Sequence, residues 1–192
     1  MNYTKAYDYL IRKLQRGLDA RITYHNADHT KKVIASAIII ARKEKVRKDD
    51  LTLLKTAALF HDSGFLISNT DHEIHSCELA RKYLPAFQYS TAQTELICNM
   101  IMATKMPQSP YNQLSEILCD ADLYYLGGNG YAHEAENLYQ ELLVNQHLRS
   151  EREWLKIQID FLASHTYFTS VATENCHYGK SLNLGTLLSL YG

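Results

Sequence analysis

Apolar residues in this 192-residue chain recur at helical spacing in nearly every segment, and no stretch keeps up the period-two alternation of a half-buried strand for more than a few residues. A sequence patterned this way buries its apolar faces only by packing helices on helices, so the expected fold is all-α, a compact helical bundle without internal repeats. At 46% hydrophobic the chain can fill a complete core. It reads as a single domain over residues 1–192.

Tyr3, Tyr7, Leu10, Leu14 and Leu18 mark a first helix over about 3–19. A second, over about 28–45, sets His29, Val33, Ala37 and Ile40 on one face, with His29 at its start pointing inward. The third opens after Asp49-Asp50 and carries Leu51, Leu54, Ala58 and His61 inward. A fourth holds His72, His75, Ser76, Leu79, Ala80 and Tyr83 and stops at Pro85. Ser90 with Gln93 is a capping-box start for a fifth, with Ile97, Ile101 and Thr104 on one face. A sixth, about 114–126, aligns Leu118, Asp122 and Tyr125 and is closed by Gly127-Gly128. A seventh covers about 131–146, and Ser150 with Glu153 opens an eighth whose face reads Trp154, Ile157, Phe161, His165 and Phe168. The tail from Thr173 is weakly patterned, with a short last helix expected over 181–190.

Chemistry enters at Ala57-Ala58-Leu59-Phe60-His61-Asp62-Ser63-Gly64-Phe65. At the last turn of a helix an adjacent imidazole and carboxylate can reach one cation, and Gly64 lets the chain leave at almost any φ. The plainer reading is a histidine near the helix dipole with Asp62 exposed in a turn. His29 and Asp122 also lie in line with apolar residues, and a buried ionised carboxylate is costly unless paired or metal-bound. Two imidazoles and two carboxylates suit Mn, Fe, Zn or Mg without distinguishing among them. Singly, His29 also reads as a helix-start residue and Asp122 as the acceptor of a tyrosine hydrogen bond.

The net charge of −1 leaves no basic footprint for nucleic-acid backbone or anionic membrane, which points to a small substrate and away from a long nucleic acid. The apolar run Val33 to Ala41 is too short to span a bilayer. Cys77, Cys98, Cys119 and Cys176 form no CxxC pair and read as reduced thiols of a cytoplasmic protein. Neither GxxxxGK nor GxGxxG occurs, so kinases and dinucleotide-dependent oxidoreductases have no foothold.

The order His29, His61-Asp62, then Asp122 within Cys119-Asp120-Ala121-Asp122-Leu123, with Tyr24-His25-Asn26 just ahead, resembles the H…HD…D signature of the HD-domain metal-dependent phosphohydrolase superfamily. The likeness covers about residues 20–130, and residues of about 131–192 are expected as C-terminal helices packing on that core. It implies an HD-type bundle, a divalent ion held by His29, His61, Asp62 and Asp122, and hydrolysis of a phosphate ester. Asp122 is preferred to Asp120 because the family's last ligand usually follows alanine; Asp120 is left to an outer role or to solvent. Members with paired metals add two histidines, of which His72 matches the first while Thr104 stands where the second is expected. One ion per chain is therefore expected, with Asp62 holding the attacking water in line and His72 on the substrate side or in proton handling.

The same resemblance favours His25 as a donor to substrate phosphate. Lys105 is a candidate phosphate anchor, although a solvated lysine is the commoner case. Glu73 either orients a ligand histidine or stays solvated, His75 reads as half-exposed, and His165 as a core histidine with one hydrogen bond. The substrate implied is a nucleotide-like monoester or diester, with Tyr24, Tyr124 and Tyr125 placed to stack a base or simply to pack. Two rival readings remain: a regulatory HD module that binds a nucleotide and a partner, and a di-iron oxygenase of the HD fold, which needs the ligand missing at Thr104. The sequence does not speak to oligomeric state.

Overall fold

The structure is a computed structural model that describes residues 1–145, 148 and 150–191. Among these there is no strand. The helices are α1 (Tyr3–Gly17), α2 (Ala27–Lys43), α3 (Lys48–Phe60), α4 (His72–Tyr83), α5 (Thr91–Ala103), α6 (Gln113–Asp122), α7 (Tyr131–Val144), α8 (Glu151–Ser164) and α9 (Ser170–Tyr191). Short 3-10 turns cover Ser63–Leu66, Leu84–Phe87 and Tyr124–Gly127. The all-α bundle expected from the apolar pattern is what forms.

Helix α3 is the central element, packed against α1, α2, α5 and α6. Its Ala57 and Ala58 are fully buried, which lets neighbouring backbones approach closely, and its Leu54 and Phe60 are fully buried as well. Local capping fixes where helices begin. Asn26 accepts the backbone N–H groups of Asp28 and His29 at 2.8 and 3.2 Å, so α2 starts there and His29 falls in its first turn. The capping box of Ser90 and Gln93 is present. Asn112 does the same for α6, and Ser150 accepts the Glu153 N–H at the start of α8. A second apolar cluster, built on Leu126, Tyr131, Trp154, Leu162 and Leu187, joins the Tyr124–Gly127 turn to α7, α8 and α9.

The structure departs from the sequence reading in four places. Helix α6 ends at Asp122 and hands over to the Tyr124–Gly127 turn, so Tyr125 is not on it. Helix α8 ends at Ser164, which leaves His165 and Phe168 in the following segment. Helix α9 has 22 residues where a short helix was expected. It has no single apolar stripe because it packs successively on α2, on the Tyr124–Gly127 turn and on α8. Gln146, the expected end of the seventh helix, lies outside the described residues; α7 is described to Val144.

The fourth departure concerns glycine. No described glycine has a positive φ, so Gly64 and Gly127 serve by absence of volume and not by backbone freedom. A Cβ on Gly64 would lie 1.9 Å from the His72 carbonyl oxygen, and one on Gly127 would lie 2.3 Å from that of Cys176. The bare backbone at Gly64 is what lets α4 begin against the end of α3. All four cysteines are buried and free. No helix among the described residues is long and apolar enough to cross a membrane.

Candidate metal centre

Three helix ends meet here. His29 comes from the first turn of α2, His61 and Asp62 directly follow α3, and Asp122 is the last residue of α6. One ligand atom from each lies within 4.8 Å of every other. His61 Nε2 is 3.0 Å from Asp62 Oδ2, 3.3 Å from His29 Nε2 and 3.4 Å from Asp122 Oδ1. His29 Nε2 is 3.1 Å from Asp122 Oδ1 and 3.3 Å from Asp62 Oδ2. An ion held at about 2.1 Å by nitrogen and oxygen ligands would place neighbouring donors about 3 Å apart, so this spacing fits one divalent cation.

Two further observations support that fit. His61 Nδ1 donates to the Ala58 carbonyl at 2.9 Å, which leaves the Nε2 lone pair of the neutral ring directed at the cluster. Asp62 Oδ2 is buried at the centre of the group and makes no well-directed hydrogen bond, although the imidazole nitrogens of His61 and His29 lie 3.0 and 3.3 Å away. Burial opposes charge on both imidazoles, yet the Asp62 and Asp122 carboxylates outweigh it and hold His29 above, and His61 well above, the usual histidine range. Burial likewise opposes the charged carboxylates, but His61 and His29 hold Asp62 and Asp122 below theirs. In the absence of an ion these shifts favour positive charge on the imidazoles beside the carboxylates, charge that a bound cation would replace.

Asp122 opens this cluster to a cavity of about 320 Å3. Its polar end is formed by His25, Asp62, His72, Glu73, Thr104 and Asp122. Its other end is formed by side chains of α7 and α8, among them Leu138, Trp154 and Phe161.

The HD domain family matches residues 26–125, more than half of the chain, and every ligand candidate lies within that span. The chain belongs to the HD domain family. Among solved structures, this HD-domain protein is similar to a Lactobacillus plantarum protein with TM-score 0.73 and 16% identity, over 98% of this chain and 94% of that one. It is similar to Bacillus subtilis YpgQ in complex with ADP with TM-score 0.65 and 20% identity, over 99% and 95% of the two chains. A predicted HD superfamily hydrolase from an uncultured Thermotogales bacterium gives TM-score 0.63 and 20% identity, over 98% and 92%. Identities this low show a shared fold. A search of curated protein sequences gives no match.

Around the centre of the HD domain, His72 opens α4 with its Nε2 3.4 Å from Asp62 Oδ1 and 3.4 Å from Glu73 Oε1. Burial disfavours its charged form, but Asp62 prevails and raises its pKa. His25 stacks on Phe65 at 4.2 Å between ring centroids, and the other side of the arrangement is His72, 4.4 Å from Phe65. His25 Nδ1 lies 2.5 Å from Glu141 Oε1 of α7, while Glu141 Oε2 accepts the backbone N–H groups of Tyr24 and His25 at 2.8 and 3.1 Å. Neither Glu141 nor Phe65 stood out in the sequence. Glu141 is one acid in a polar helix 116 positions from its partner, and no local pattern reports such a contact.

Lys105 is exposed and paired with Asp71 at 2.6 Å, and it is not among the residues lining the cavity. Thr104 does line it, buried, with its hydroxyl donated to Ile101 O at 2.8 Å. Asp120 faces away from the ligand group: its carboxylate accepts from Phe168 N, Thr169 N and Thr169 Oγ1 at 2.7–2.9 Å and so anchors the segment between α8 and α9. Tyr24 and Tyr125 line the cavity and Tyr124 does not. His75 pairs with Glu78 on α4. His165 follows α8 and has Lys180 Nζ 3.5 Å from its Nδ1.

Proposed function

We propose that this protein is a metal-dependent hydrolase of a small phosphate ester, nucleotide-like and either a monoester or a diester. The observation that carries the reading is the group of four convergent donors, with a buried Asp62 oxygen at its centre, opening directly onto a cavity that also holds two histidines. His29, His61, Asp62 and Asp122 would hold one divalent ion, Mn, Fe, Zn or Mg. When bound, the ion supplies Lewis acidity, neutralising phosphoryl charge and making water nucleophilic near neutral pH.

The protein's own groups do the rest. Asp62 presents Oδ2 to the ligand group and Oδ1 toward His72, so the same carboxylate can orient the attacking water and keep His72 protonated. A protonated His72 can donate to a phosphoryl oxygen or to the leaving group. His25, held at Nδ1 by Glu141, is left with Nε2 for the phosphate. We assign the phosphate contacts to these two histidines, since Lys105 is engaged by Asp71. ADP bound to the Bacillus subtilis neighbour supports a small phosphate-bearing ligand. Thr104, in place of a further histidine, supports one ion per chain.

The test joins elemental analysis to a panel of phosphomonoesters, cyclic nucleotides and nucleoside polyphosphates. Dialysed protein is expected to retain about one ion per chain and to release phosphate or cleave a diester, with activity lost to chelator and restored by a divalent ion. Two tightly held ions would overturn the single-ion reading. If no ester turns over with any divalent metal while a nucleotide still binds, a regulatory HD module takes its place.

A further inference from the structure

The cavity has two chemically different ends, and the second constrains the body of the substrate. Resting on the hydrolase reading above, we propose that the ligand carries a single phosphoryl group on a flat, uncharged body bearing a hydrogen-bond acceptor, and that Gln158 is the residue that reads this acceptor.

The limit to one phosphoryl group follows from the lining. Among the described residues no lysine or arginine lines the cavity, whereas Asp62, Glu73 and Asp122 do. One divalent ion and the ring nitrogens of His25 and His72 provide partners for one phosphoryl group. A second would bring further negative charge into a space with no cation left to pair with it, and unpaired charge removed from water is strongly disfavoured. Nearby lysines are already engaged, Lys105 by Asp71 and Lys32 by Glu134.

The shape and polarity of the body follow from α7 and α8. Ala135, Leu138, Leu142, Trp154, Phe161 and Leu162 form the far wall, and the Trp154 ring is backed by Tyr139 in a stacked arrangement at 6.1 Å. Aromatic faces of this kind favour a planar guest. Polar groups there are few, and two of them form a pair: Tyr131 Oη donates to Gln158 Oε1 at 2.8 Å. That bond engages the amide oxygen, so Nε2 is the donor that Gln158, at the cavity lining, has left to offer. A donor so placed selects for a guest with an acceptor, because a guest without one leaves it unpaired. A small polyhydroxylated ester finds too few partners here for its own hydroxyls.

The test is equilibrium binding of phosphonates, which need no turnover, to the full chain loaded with Mn. We expect para-nitrophenylphosphonate to bind about tenfold more tightly than phenylphosphonate, the worth of one hydrogen bond. Gln158→Leu should abolish that preference, and Tyr131→Phe, which frees the amide to rotate, should reduce it. Adenosine monophosphate should bind at least about tenfold more tightly than adenosine diphosphate. Equal binding of the two nucleotides, or a nitrophenyl preference that survives Gln158→Leu, would overturn the proposal. The hydrolase reading fails separately: if the phosphonates bind with the expected preference but no ester is cleaved, the subsite stands and the reaction does not. If esters are cleaved without these preferences, the reaction stands and the subsite does not.

Discussion

The region from α1 to α6, whose apolar cluster is completed by Val171 and Ala172 of α9, and the region from the Tyr124–Gly127 turn to α9 pack differently. In the first, Ala37, Ala57, Ala58 and Ala80 are 0% exposed, helices lie close, and four polar ligand groups are set at the ends of closely packed helices. In the second, the cluster is built largely on bulky side chains, and two of them, Tyr131 and Trp154, also line the cavity. Metal ligands must be held to within about 0.5 Å, which dense packing provides. Recognition of an organic body needs room. The same chain meets both demands by joining a tight core to one built on bulky side chains, with the cavity along the seam.

The strongest way to break this contrast is to remove a ligand. His61→Ala or Asp62→Ala should abolish metal retention while helical content survives, because neither side chain belongs to the apolar clusters. In the unmodified protein a divalent ion at about 100 times its Kd should add about 2.7 kcal/mol of stability, read as a rise in Tm, and the variants should show none. Activity should fall by more than the roughly 10 to 100-fold that outer residues typically contribute. A His61→Ala protein that keeps a full complement of metal would place the site elsewhere.

A smaller effect is expected from the glycines, one in each region. A Cβ on Gly64 would meet His72 O at 1.9 Å, and one on Gly179 would meet Gly127 O at 2.1 Å, so in both variants backbone must move. Overpacking commonly costs about 1–3 kcal/mol, and backbone clashes this close should reach the upper part of that range. Gly64→Ala shifts the start of α4 and should weaken metal binding as well; Gly179→Ala should lower Tm yet leave metal affinity intact. We propose that both regions unfold together as one domain. Trp154, the single tryptophan, reports on the second region, and its fluorescence transition should coincide with metal release from the first. Two separate transitions would show two units.

Much of the first region was legible because its signals are local. Capping by Ser90 and Gln93, the apolar face ending at His61, and the ligand order of the family are each written within a few residues. The second region was less legible for physical reasons. Helix α9 changes partners along its length and so carries no periodic stripe. Glu141, Trp154 and Gln158 acquire their meaning only from elements far away in the chain, and in isolation they are a helix acid, a core aromatic and a surface amide. Gly64 was visible, but its reason was not: a close approach to His72 O is a tertiary fact.

The smallest effect expected is in pH dependence, where the two regions should differ in sign. Without metal, His29 and His61 have pKa values raised above 6.5 despite burial, through Asp62 and Asp122. A raised histidine stabilises fully below 6.5 and loses that contribution as pH climbs through its folded value. His165 is the reverse: burial, then the Lys180 charge, lowers it from 6.5 to about 4, so its contribution is present above 6.5 and is lost as pH falls toward 4. Tm measured across this range in chelator should therefore decline on the alkaline side through the ligand histidines and on the acid side partly through His165. A divalent ion should flatten the alkaline decline, because it replaces the positive charge beside the carboxylates. His165→Asn should lose less stability than the unmodified protein between pH 6.5 and 4 and leave the alkaline side alone. An alkaline decline that persists with metal bound would mean that the imidazoles of His29 and His61 are not the groups the ion engages.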